Sequence, residues 1–230
     1  MSSHLKRIIT ILLILLLLIP VLLVALGKII DPPIWSWQIY RCLYPPVDYP
    51  SRTAHDWVPL NKISKNIQLA VIASEDQHFA THHGIDINTV LTLLKQTGRR
   101  GPTRGGSTIT QQTAKNLFLF PSHTFIRKGA ELYFALWMEL LWSKARILEV
   151  YLNIIEFGPG IYGIEAASQT YFGIPASRLN AQQAAQLAAV LPNPYRMQPA
   201  PMSTYVRQRS RWIRQQMRQL GQQYLNQLSH

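Results

Sequence analysis

The sequence predicts a mainly α-helical protein, in which one domain follows a single membrane-spanning helix. Residues 8–27 form an apolar run of twenty residues without a charge, long enough to cross a bilayer core as a helix. Beyond residue 60, apolar residues recur with helical spacing, and no convincing alternating run indicates a strand. The 230 residues, 47% of them hydrophobic, suffice for one core of ordinary size.

The apolar run is expected to be an uncleaved anchor within residues 1–30. It is long for a cleaved signal peptide, the competing interpretation, and no clear cleavage site follows it. His4, Lys6 and Arg7 precede it, which predicts a cytoplasmic N-terminus. The aromatic residues after the run are expected to form a belt at the membrane interface: Trp35, Trp37, Tyr40 and Tyr44.

Residues 31–60 contain six prolines and are expected to form an extended connector. A domain at 61–200 and a basic C-terminal helix at 201–230 follow. Thr108 and Gln111 match a capping box that opens a helix through Leu119. The other predicted helices lie at 66–79, 87–97, 127–155, 181–191 and 205–220, with a basic loop at 99–106.

The chain is strongly basic, with a formal net charge of +12 at pH 7. Such a charge favours nucleic acid, an anionic membrane surface or a phosphorylated substrate as partner. Because no nucleic-acid-binding motif is present, no nucleic-acid partner is expected. The basic residues of the last helix form either a solvated face or a surface attracted to anionic headgroups: Arg207, Arg209, Arg211, Arg214 and Arg218.

Two adjacent acids, Glu75 and Asp76, end an apolar segment in a chain with only 11 acidic residues. Glu75 continues an apolar helix face, so its carboxylate is partly removed from water and is a candidate general base. The alternative is that one acid simply ends the helix. His78 and His82 have a spacing that suits zinc, but neither an H-E-x-x-H motif nor a cysteine ligand accompanies them, so no metal site is assigned.

Cations follow in two further polar segments. Two glycines precede the helix at 108–119, whose start is a setting that attracts anions, and Lys115 lies one turn after Gln111. Arg127, Lys128 and Glu131 also have helical spacing. Alone, Arg127 and Glu131 would be an ordinary surface pair.

Five segments, in this order, resemble the successive motifs of the bacterial peptidoglycan glycosyltransferases: EDQHFATHHG (75–84), GGSTITQQTAKN (105–116), RKGAE (127–131), KARILEVYLN (144–153) and YGIEAASQTYFG (162–173). The resemblance covers about residues 60–200. The family includes monofunctional biosynthetic transglycosylases and the N-terminal modules of class A penicillin-binding proteins. Because the sequence ends at His230, the monofunctional form without a transpeptidase is expected.

The resemblance implies a lysozyme-like, two-lobed glycosyltransferase domain in the bacterial inner membrane, with its catalytic part in the periplasm. It implies polymerisation of lipid II into glycan strands, with inversion at the anomeric carbon and undecaprenyl pyrophosphate as leaving group. The implied partners are lipid II, the lipid-linked growing glycan chain, the membrane, and proteins of cell division or elongation. No cofactor is required, and a divalent cation, Mg²⁺ or Mn²⁺, is compatible with the second glutamate.

The resemblance also implies the site residues. Glu75 would be the general base, and Glu131 the second catalytic glutamate. Asp76 is expected to support Glu75 rather than share its proton. The residues implied to shape the cleft or bind sugar and pyrophosphate are Asp76, Phe79, His82, Ser107, Thr108, Gln111, Gln112, Lys115, Asn116, Arg127 and Lys128. Several relatives carry an arginine eight residues after the motif lysine, where this chain has His123. Either His123 binds pyrophosphate as an imidazolium, or it lies in a solvated loop after Pro121 without contact to the substrate.

Two other functions compete with polymerisation. A muramidase-like hydrolase or lytic transglycosylase would share the fold, but the cationic motifs suit a pyrophosphate leaving group, which needs cations more than a proton. A non-catalytic glycan-binding membrane protein is the second alternative. The presence of Glu75, Lys115 and Glu131 together argues against it.

Overall fold

The computed structural model describes residues 3–87, 106–122 and 124–229, and these are mainly helical, as predicted. The helices are α1 (Ser3–Gly27), α2 (Ser36–Leu43), α3 (Lys65–Glu75), α4 (Ile109–Phe118), α5 (Phe125–Leu141), α6 (Lys144–Ile154), α7 (Ile164–Phe172), α8 (Ala181–Val190) and α9 (Thr204–Leu220). Short 3₁₀ helices lie at Leu60–Lys62, Ala176–Arg178 and Gln222–Ser229. The predicted helix at 87–97 and basic loop at 99–106 lie outside the described residues, except for residues 87 and 106.

A small sheet is present that the sequence pattern does not reveal. Strand β1 (Ala54–His55) pairs in parallel with β3 (Ile161–Tyr162), which pairs antiparallel with β2 (Glu156–Gly158). Strands of two or three residues are too short for alternating polarity to show. The sheet joins the connector to the segment between α6 and α7.

Capping residues define where several helices begin. The capping box of Thr108 and Gln111 is present at the start of α4, as predicted. The predicted continuous helix at 127–155 is instead two helices, α5 and α6. Trp142 has extended backbone angles after α5, and the Ser143 side chain caps α6 by accepting a hydrogen bond from the backbone N–H of Arg146.

Two groups of the described helices pack around α3 and α4. Helix α3 packs against α8, α9 and the last 3₁₀ helix, whereas α4 packs against α5 and α6. Apolar side chains of α3 and α6 such as Ile67, Ile72 and Leu148 are fully buried. The end of α3 and the start of α4 are brought together where the two groups meet.

Helix α1 fits a single-pass membrane anchor. Among the described residues, His4–Gly27 is the one helix that is long and apolar enough to cross a bilayer. It packs beside α5. The Tyr133 hydroxyl donates to the Leu17 carbonyl over 2.8 Å, and the Trp142 indole donates to the Val24 carbonyl over 2.7 Å.

The end of the anchor is tied to α6 through Arg146. Its guanidinium donates to the carbonyls of Gly27 and Ile30 over 3.0 and 3.1 Å, and pairs with Asp31 over 2.7 Å. Gly27 is needed there, because a Cβ would lie 2.8 Å from the Trp142 ring. The chain therefore leaves α1 at a defined place on the domain.

The connector at 31–60 differs from the prediction. It contains α2, which packs on α4, and is not extended throughout. Trp35 is 1% exposed and packs edge-on against His55 and Tyr162. The predicted interfacial belt is thus wrong for Trp35, and Trp37 is also partly buried within the domain. Aromatic residues near a predicted anchor can pack at a lipid interface or in a protein core. Here Trp35 lies in the core and Trp37 packs against it.

Asn153 offers a test of how the connector is held. Its amide is 0% exposed, accepts from the Val58 N–H over 2.9 Å, and donates to the carbonyls of Val58 and Glu149 over 2.9 and 2.8 Å. Asn153→Ala should lower the free energy of unfolding by about 2–4 kcal/mol, because buried backbone groups lose their partners. Urea unfolding followed by tryptophan fluorescence measures this. Gln215→Ala, an exposed amide on α9, is the control, and an equal loss in both variants would contradict the assignment.

Candidate active site

Glu75 is the last residue of α3, and its side chain is 14% exposed. The Ser74 hydroxyl donates to Oε1 over 2.8 Å, and the Gln112 amide donates to Oε2 over 3.2 Å. The Arg209 guanidinium lies 3.5 Å from Oε1. The carboxylate is therefore held from three sides and remains partly accessible to a ligand.

The adjacent Asp76 is buried, and its hydrogen bonds link the end of α3 to the start of α4. Both of its carboxylate oxygens lie 2.9 Å from His82 Nε2, and Oδ2 accepts from the Ile109 N–H at the start of α4, also over 2.9 Å. The Gly84 N–H donates to His82 Nδ1 over 3.1 Å. In the neutral imidazole, Nε2 therefore carries the hydrogen and donates a hydrogen bond to the Asp76 carboxylate. Asp76 thus orients the segment around Glu75.

A second hydrogen bond, from Tyr151, orients the side-chain amide of Gln112. The buried Tyr151 hydroxyl donates to Gln112 Oε1 over 3.2 Å, which leaves the amide nitrogen to face Glu75. Burial raises the pKa of Tyr151 well above its usual value, and the charges of Glu75 and Asp76 add to the effect. The hydroxyl therefore stays protonated and remains a donor at physiological pH.

Two of the cations predicted from the motifs, Arg127 and Lys128, pair with Glu131. This carboxylate is 2% exposed; Oε2 accepts from Arg127 over 2.6 Å, and Oε1 pairs with Lys128. Burial lowers the pKa of Lys115, and Glu131 and Glu75 oppose that effect, whereas Arg127 and Lys128 reinforce it. Lys115 thus lies within electrostatic reach of both glutamates and of these two cations.

The remaining predicted residues differ in position. Thr108 and Gln111 are both 3% exposed and bond each other within the capping box, so they shape the start of α4. Phe79 is fully buried, whereas Ser107 and Asn116 are partly exposed. His123 lies outside the described residues. Contact of these side chains with a substrate stays a prediction.

The two histidines with zinc-like spacing have different partners. His78 Nδ1 lies 2.7 Å from Asp86, whereas His82 bonds Asp76. Among the described residues, no group of three His, Cys, Asp or Glu side chains is arranged to hold a metal ion.

Comparison with known proteins identifies the family. The family model described as Transglycosylase matches residues 46–218, most of the chain. The chain belongs to the transglycosylase family. It is 55% identical over 221 residues to the biosynthetic peptidoglycan transglycosylase of Vibrio parahaemolyticus, covering 96% of this chain and 98% of that protein. Proteins of the same name from Aeromonas hydrophila and Pseudomonas syringae are 55% and 48% identical, covering 91% and 87% of this chain and 89% and 86% of their own lengths.

Arg209 is a site residue of this transglycosylase that sequence analysis did not single out. It was grouped with the other arginines of the last helix, yet it alone of the five has an ion pair with Glu75 among the described contacts. The apolar periodicity of α9 could have identified Arg209 from the sequence. Arg209 follows the buried Val206 by three residues and precedes the buried Ile213 by four, so it belongs to the inward face of α9.

Removing the Arg209 charge should lower transglycosylase activity about tenfold, because Glu75 loses one of its three supports. Arg209→Gln keeps a polar side chain of moderate length at this place. Arg211→Gln removes the same charge from an exposed position on the same helix and is the control. Initial rates of both variants measure the effect. If they lost activity equally, general attraction to anionic lipid would explain the effect instead.

Proposed function

We propose that this protein is the glycosyltransferase that polymerises lipid II into the glycan strands of peptidoglycan. The observation that carries the proposal is a partly exposed carboxylate, Glu75, whose charge acts on the buried Lys115, together with a buried second carboxylate, Glu131, that pairs with two further cations. Membership of the transglycosylase family supports it. The arrangement suits transfer to a hydroxyl with an anionic leaving group.

Glu75 acts as the general base. It takes the proton from the 4-hydroxyl of the acceptor sugar, and that oxygen forms a bond to the anomeric carbon of the lipid-linked growing chain. The bond from this carbon to the pyrophosphate oxygen breaks on the opposite face, which inverts the configuration. Because Ser74, Gln112 and Arg209 hold the carboxylate, little reorganisation is needed when the proton arrives.

The cations stabilise the departing undecaprenyl pyrophosphate, which takes the bonding electrons. Lys115, Arg127 and Lys128 supply positive charge, and the Lys128 side chain is 41% exposed and therefore available to an anion. Glu131 is enclosed by Arg127 and Lys128, so its role is to position them. From the motif resemblance alone, His123 is proposed to add an imidazolium that binds pyrophosphate.

The surroundings of Glu131 do not favour its carboxylate as a ligand of a divalent cation. Both of its oxygens are engaged by cationic side chains, and no second carboxylate is arranged with it into a metal-binding group among the described residues. We therefore assign no step to Mg²⁺ or Mn²⁺ and propose that side chains supply the charge compensation.

We further propose that α1 anchors the protein in the bacterial inner membrane, with its N-terminus in the cytoplasm and the catalytic domain in the periplasm. The cations before the apolar run support this orientation. Phe125 and Ile126, at the start of the helix that packs beside the anchor, are 97% and 86% exposed and suit contact with lipid. Proteins of cell division or elongation are the proposed protein partners.

Glu75→Gln should retain the fold and lose polymerisation by about 10²–10⁴-fold, because the amide cannot accept the proton. Conversion of lipid II to polymer by the full-length protein in detergent measures the rate. The circular dichroism spectrum and melting temperature serve as controls for folding. More than a tenth of wild-type activity would exclude Glu75 as the base, and release of soluble fragments from cell-wall sacculi by the wild type would favour a hydrolase.

The charge of Lys115 should set an alkaline limit on activity. The ammonium form stabilises pyrophosphate, so kcat/KM falls as pH rises through the pKa of Lys115, which burial places below the usual value of 10.5. Lys115→Arg stays charged and should move the alkaline limb to higher pH. The pH profiles of both proteins, with Lys62→Arg as an exposed control, test this. Coincident alkaline limbs would contradict the role of Lys115.

A further inference from the structure

Trp37 lies next to Lys115 although it belongs to the connector. Helix α2 (Ser36–Leu43) precedes residue 46, where the match to the family model begins. It packs against α4, and the Lys115 ammonium nitrogen lies 5.9 Å from the centroid of the Trp37 ring. At this distance an ammonium group interacts favourably with the face of an indole ring. The connector thus supplies a side chain to the cationic part of the site.

Trp37 itself is held in place by a buried acid. Its indole N–H donates to Glu156 Oε2 over 3.0 Å. Glu156 Oε1 accepts from the Gly160 N–H and the Tyr195 hydroxyl over 3.1 and 2.9 Å. The Arg41 guanidinium lies 4.6 Å from the Trp37 ring and 4.7 Å from the Tyr195 ring. These contacts leave the indole little freedom to turn away from Lys115.

Lys115 needs such a neighbour because its surroundings oppose its charge. Burial disfavours the ammonium form, and Arg127 and Lys128 on α5 disfavour it further. Glu131 on α5 and Glu75 on α3 favour it. Glu131 is, however, shared with Arg127 and Lys128, which both pair with it directly. The Trp37 ring reaches Lys115 from α2.

We propose that Trp37 is a positioning residue of this enzyme, whose ring face stabilises the charged form of Lys115 and directs it towards the leaving group. The part of the inference that concerns the leaving group rests on the proposed function. The contact with Lys115 does not. Residues that precede the family match thereby contribute to the site, and the connector does more than span the distance from membrane to domain.

Two variants of nearly equal side-chain volume separate the ring face from other effects. Trp37→Phe and Trp37→Leu both remove the indole bond to Glu156 and leave similar space, but only phenylalanine presents an aromatic face. The pKa of Lys115 is measured in the full-length protein in detergent, from the pH dependence of its acetylation by acetic anhydride, with the Lys115 peptide quantified by mass spectrometry. We expect the pKa in Trp37→Leu to lie about half a unit below that in Trp37→Phe.

Tyr44→Leu removes an exposed aromatic ring just after α2 that faces Tyr40, and should leave the pKa of Lys115 unchanged. Equal pKa values in Trp37→Phe and Trp37→Leu, or a higher one in Trp37→Leu, would overturn the proposal. A purely structural role of Trp37 would lower the melting temperatures of both variants without separating these pKa values.

The kcat for lipid II polymerisation, measured above the pKa of Lys115, should be about threefold lower in Trp37→Leu than in Trp37→Phe, as a half-unit difference requires. If the pKa values separate but kcat does not, Trp37 stabilises Lys115 as inferred, and the role of Lys115 at the leaving group is wrong. The two failures are therefore distinguishable.

Discussion

The geometry of the site depends on the buried carboxylate of Asp76. A desolvated carboxylate is stable only when hydrogen bonds compensate its charge, and Asp76 obtains them from His82 and from the first backbone N–H of α4. This requirement brings the end of α3 to the start of α4. Glu75, one residue earlier, then lies beside Gln112, one turn into α4. The positions of Glu75, the proposed base, and of Gln112 follow from the hydrogen-bonding needs of Asp76.

The same physical rule governs the other buried acids. Glu131 binds Arg127 and Lys128, Glu156 binds Trp37 and Tyr195, and Glu139 binds Lys144 over 2.8 Å and Thr110 over 2.5 Å. The chain has only 11 acids against 23 Lys and Arg. Glu156 and Glu139 thus join different elements of the domain, whereas Glu131 pairs within one helix. With so few acids, and these engaged inside the domain, much of the positive charge remains available to phosphates or anionic lipid.

The sequence predicted local features well and long-range contacts poorly. The anchor and the capping box of α4 follow from residues close in the chain, where periodicity and capping chemistry act. The predicted helix at 66–79 ends four residues earlier, at Glu75, as the alternative interpretation of the acidic pair had it. Motif resemblance indicated Glu131 and its cations, which lie within one helix. The contact of Arg209 with Glu75 and the burial of Trp35 depend on packing between distant segments. Neither periodicity nor composition encodes such packing, although the inward face of α9 marks Arg209 in retrospect.

Arg146 has a consequence for how movements of the anchor reach the domain. Its guanidinium bonds the last turn of α1 and Asp31, and Tyr133 and Trp142 add hydrogen bonds to α1. Because these bonds tie α1 to α5 and α6, we expect a tilt of α1 to be transmitted to the helices that carry Glu131 and Arg146, and not to be absorbed by the connector.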